Sequence, residues 1–91
     1  MMDLDPVRAR TSLALRALLF GAGTIQERVE EACDAILLLQ SRELPEAMRD
    51  EFVLLLQRIT AVSAPSALSA EEAVSLAEAI VVFHDHVQRS E

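Results

Sequence analysis

Three stretches of this sequence repeat apolar residues at alternating intervals of three and four, which keeps them on one side of a helix with 3.6 residues per turn. The runs are Ile25, Val29, Ala32, Ile36 and Leu39; Met48, Phe52, Leu55, Ile59 and Val62; and Ala73, Leu76, Ile80, Phe83 and Val87. A strand would need alternation by two, and material for strands or hairpin turns is scarce: three Phe, no Trp or Tyr, and glycine only at Gly21 and Gly23. The chain is therefore expected to be all-α.

Start and stop signals frame four helices. Asp5 followed by Pro6 reads as an N-cap with proline at the first helical position, and Gly21-Ala22-Gly23 ends that helix, giving about 6–21. Thr24 and Glu27 have capping-box spacing before a helix of about 25–41. Pro45 opens the third, about 45–62, and Pro65 with its neighbouring Ser and Ala residues ends it and supplies the only substantial linker. Ser69 and Glu72 form a second capping box before a helix of about 70–89. Short connections favour antiparallel neighbours, so the expected architecture is one domain, 1–91, folded as an antiparallel up-down-up-down four-helix bundle. Its competitor is a three-helix core with the first helix docked on a second chain.

The charges argue against several functions. Fifteen acidic residues face eight basic ones, all Arg, for a net charge of −7. Residues 1–26 carry Asp3 and Asp5 against Arg8, Arg10 and Arg16, a net +1, while the rest of the chain carries −8. Three arginines without aromatic stacking partners do not make a nucleic-acid surface, so no nucleic acid is expected as a partner. The absence of Lys, Asn and Tyr, all with A/T-rich codons, suggests a GC-rich bacterial source. A single cysteine, Cys33, cannot staple the fold, which points to a reducing, cytoplasmic setting. Leu13 to Phe20 and the following Gly-Ala-Gly faintly suggest a leader, but Arg16 interrupts the apolar stretch and Asp3 and Asp5 acidify what precedes it. The longest uncharged run, Ile59 to Ala70, is 12 residues. A membrane-spanning helix needs about 18 to 20, so no membrane role is expected.

Residues with chemical potential do not assemble into a site. His84-Asp85-His86 places two imidazoles two positions apart, where they diverge by about 200° on a helix. Cys33 lies at a seam edge among acids, a setting that disfavours the thiolate. Glu27, Glu30, Glu31 and Asp34 share one side of the second helix, but a convex row of carboxylates does not converge on a cation. No catalysis, cofactor, metal or small-molecule substrate is expected.

Apolar residues nevertheless remain after the seams are assigned. The first helix places Leu4, Val7, Ala14, Leu15 and Leu18 on one side and Leu13, Ala17 and Phe20 on nearly the opposite one. Leu37 and Leu38, Val53 and Leu54, and Val74, Val81 and Val82 are also left over. The expected function is a non-catalytic protein-interaction module that forms a homodimer through the second face of the first helix. The expected contact residues are Leu13, Arg16, Ala17 and Phe20 together with the acidic row Glu27, Glu30, Glu31 and Asp34, Arg16 reaching Glu27, Glu30 or Glu31 of the other copy. One alternative is an accessory chaperone or regulator that sheaths a segment of another protein. Another is a metal or acid-base site at His84 and His86.

Overall fold

A computed structural model describes residues 4–62 and 67–89. Among the described residues four α-helices carry the fold, α1 (Asp5–Phe20), α2 (Ile25–Leu37), α3 (Glu46–Thr60) and α4 (Ala70–Arg89), and a 3-10 turn at Ser41–Glu43 lies between α2 and α3. No strand occurs among the described residues.

Two of the expected helix starts rest on side-chain caps. The Glu27 backbone N–H donates to Thr24 Oγ1 at 3.2 Å, although the return contact runs from the Thr24 hydroxyl to the Glu27 carboxylate at 3.4 Å. Before α4 the capping box is reciprocal: Glu72 N–H donates to Ser69 Oγ at 3.1 Å and Ser69 N–H to Glu72 Oε1 at 3.3 Å. The expected cap at Asp5 is corrected. Asp5 is itself helical, Leu4 occupies the cap position, and no side chain caps that end. Leu4 is buried there, so packing holds the N-terminus of α1 where a cap bond was expected.

At the other end of α1, Gly21 donates its N–H to the Ala17 carbonyl at 3.0 Å, and a Cβ at Gly21 would collide with that same oxygen. Gly23 has φ +95°, a conformation that side chains resist. The two glycines therefore turn the chain into α2. The Pro65 linker lies outside the described residues.

Helix α2 stops at Leu37, short of the expected boundary near 41. The Glu43 carboxylate accepts from Gln40 N–H at 2.9 Å, and Arg49 Nε donates to the carbonyls of Ser41 at 3.1 Å and Leu44 at 3.2 Å. These bonds clasp the turn onto the start of α3 and let Leu44 be fully buried. Tertiary contacts thus outcompete the helical tendency of Leu37-Leu38-Leu39.

All three sequence seams point inward, with only Ile25 and Val62 at their ends partly exposed. Helix α4 packs on each of the other three, and α1 packs on α2 within the same chain, in contrast to the competing arrangement in which it docks elsewhere. Phe52 and Phe83 stack with ring centroids 5.7 Å apart. Glu51 of α3 meets His86 of α4, and Arg58 of α3 meets Ser75 of α4. The main helical neighbour of α3 is α4, not α2 as the consecutive order suggested, because the turn at Ser41–Glu43 separates α2 from α3.

Phe83→Ala should destabilise the domain by about 3 to 5 kcal/mol by opening a cavity against α3. Leu54→Ser, on the exposed side of α3, should change stability by less than about 0.5 kcal/mol. Thermal and chemical denaturation of the two variants measure the contrast.

Candidate interaction surface

The expected contact residues divide in the folded chain. Leu13 is 49% exposed and Phe20 80% exposed, two helical turns apart on α1. Ala17 does not belong to that ridge as expected. It is 8% exposed and joins the core, because the apolar arc of α1 is broader than the Val7 to Leu18 side and wraps to meet α2 and α4. Ala17 instead floors a groove of about 290 Å³ between α1 and α2, lined also by Leu13, Arg16, Phe20, Gly21 and Glu31.

That groove holds one cation and one anion, Arg16 from α1 and Glu31 from α2. The acids Glu27, Glu30, Glu31 and Asp34 are all exposed on α2, as the sequence placed them, but only Glu31 lines the groove. The sequence leads one to expect Arg16 against the acidic row of another copy; Arg16 and Glu31 also border one cleft of a single chain.

A larger apolar surface lies on the outer side of α4. Val74, Val81 and Val82 are exposed, and a groove of about 430 Å³ runs beside them toward Leu18 and Ile25 at the α1–α2 turn. The sequence marked these valines as surplus without joining them into a site. Their spacing of seven and one is a visible signal, but the wall opposite them comes from α1 and α2, which no local pattern places there.

The polar candidates are separated. The Cys33 thiol is buried and its pKa is pushed up to about 11 by burial, with Asp34 and Glu30 adding to the effect. A neutral buried thiol is a poor nucleophile. His86 Nδ1 lies 2.7 and 2.8 Å from the two carboxylate oxygens of Glu51, tying the C-terminal half of α4 to α3. His84 is half-buried, and its Nδ1 has no hydrogen-bond partner among the described residues. Among those residues no group of three or more His, Cys, Asp or Glu could hold a metal ion, and no helix is long and apolar enough to cross a membrane. Neither a family model, nor a curated protein, nor a solved structure matches this chain.

Cys33 provides a direct check of the buried seam. A group whose pKa is raised on folding contributes stability below its unfolded pKa, and that contribution is lost as pH rises through the folded one. Stability should therefore fall between pH 9 and about 11, by on the order of 1 to 3 kcal/mol. The chain has no Lys or Tyr to titrate in that window. Chemical denaturation as a function of pH should lose this dependence in Cys33→Ala.

Proposed function

We propose that this protein is a non-catalytic interaction module that works as a homodimer, paired two-fold through the α1–α2 face. The observation that carries the reading is Phe20, 80% exposed at the end of α1 with Leu13 along the same ridge. Fully burying such a side chain is worth about 1.5 to 3 kcal/mol, and a second copy can supply the cover. The polar rim suits self-pairing as well. A two-fold interface brings each patch against itself, so it favours a patch carrying both signs of charge, and Arg16 and Glu31 border the same groove. Arg16 of one copy then faces Glu31 of the other, fixing orientation more than adding affinity.

Within each copy the proposed topology is the antiparallel up-down-up-down bundle. The Glu51–His86, Phe52–Phe83 and Arg58–Ser75 pairs support it for α3 and α4. Leu18 of α1 sharing a groove with Val74 near the start of α4 supports it for that pair. The bond from Gln26 at the start of α2 to the Leu68 carbonyl just before α4 supports like directions for α2 and α4. A cytoplasmic location follows from the cysteine usage and remains part of the proposal.

Light scattering and sedimentation test the dimer. The wild type should be dimeric in the micromolar range, and Leu13→Ser with Phe20→Ser should give a folded monomer, since neither side chain belongs to the core. Arg16→Glu should weaken the dimer and Arg16→Glu with Glu31→Arg should restore it. A wild type that stays monomeric at high micromolar concentration overturns the proposal.

A further inference from the structure

The groove beside α4 has a different character from the α1–α2 cleft and shares no lining residue with it. Its lining is Leu18, Ile25, Val74, Ala77, Glu78, Val81 and Val82, in which Glu78 is the single charged group. Val74, Val81 and Val82 are 44%, 41% and 49% exposed, so the site is an open trough and not an enclosed pocket. The Glu78 carboxylate makes no ion pair or hydrogen bond among the described residues. Gln26 donates to the Leu68 carbonyl at 3.1 Å and so ties the start of α2 to the approach of α4.

From this we infer that the α4 trough is a docking site for an amphipathic helix of another protein, one whose apolar face carries a basic residue opposite Glu78. Charge selects this occupant over a second copy. Glu78 sits midway between Val74 and Val82, so a two-fold antiparallel pairing of α4 on itself would set Glu78 against its own symmetry mate. A foreign helix with Lys or Arg at that point meets the carboxylate with opposite charge. The net −8 on residues 27–91 draws such a helix in from a distance. The shape agrees as well: from Val74 to Val82 the stripe spans about 12 Å along α4, two turns, matching apolar anchors at i, i+3 or i+4, and i+7 on a docked helix.

The probe is a fluorescein-labelled 14-residue peptide of Leu and Lys patterned as an amphipathic helix, alongside an otherwise identical peptide with Glu for Lys. Fluorescence anisotropy is read with the full chain at physiological salt. The Lys peptide should bind, and Val81→Ser with Val82→Ser should weaken it by about tenfold or more. Glu78→Arg should do the same for the Lys peptide while allowing the Glu peptide to bind. Leu13→Ser with Phe20→Ser should leave peptide binding unchanged, which separates this site from the dimer face whether or not the dimer exists. Circular dichroism on each variant checks that the fold is intact. The inference is overturned if the Lys peptide does not bind at high micromolar protein, if the α4 variants bind as tightly as the wild type, or if those variants instead halve the mass of the protein in solution, making a second copy the occupant.

Discussion

The inward seam of α4 is the contact on which the other elements depend. Ala73, Leu76, Ile80, Phe83 and Val87 are all buried, and their helix alone packs substantially on α1, α2 and α3. Helix α3 gains its main support from this seam, through the Phe52–Phe83 stack and the outer Glu51–His86 contact. A chain of 91 residues buries a smaller share of its surface than a larger one does, and net stability is correspondingly modest. A helix that serves three neighbours is anchored along its inward face, and its outward face is carried on that packing. Pre-organisation of that kind lowers the entropic cost of binding along it.

Polar side chains in this protein mostly set chain direction. Thr24, Ser69 and Glu72 cap helix starts, Glu43 holds Gln40, and Arg49 gathers two carbonyls of the connecting turn. Thr11 is fully buried yet satisfied, donating its hydroxyl to the Arg8 carbonyl one turn earlier at 3.1 Å. Cys33 and His86 fit the same pattern. The thiol is packed in a seam and the imidazole is engaged with a carboxylate on a neighbouring helix.

The charges that remain distinguish two apolar surfaces. Under the two proposals, a cleft bordered by both Arg16 and Glu31 would complement its own image, whereas a trough lined by Glu78 as its one charge would repel its image and attract a cation. Hydrophobic burial is non-directional and would drive either surface to cover itself with any apolar partner. A few rim charges then choose among partners, through repulsion of the wrong one as much as attraction of the right one.

The helical class, the four helices and nearly every residue of three seams are legible in the amino-acid pattern, because a 3.6-residue repeat written in apolar side chains forces one face inward wherever a core exists. The pattern also marked Leu13 and Phe20 as surplus, since both lie off the Val7 to Leu18 side of α1. It placed Ala17 with them, and there the tertiary structure decided otherwise. A helix wedged between two neighbours buries a wider arc than a helix with one, and how many neighbours α1 has is not a local property. The burial of Thr11 and Leu44 likewise has no signature in the helical repeats, nor has the end of α2 at Leu37, where Arg49 of the next helix captures the turn. The α4 trough is the clearest instance. Its valines are visible along one helix, but a groove needs a second wall, and only folding brings Leu18 and Ile25 across from them.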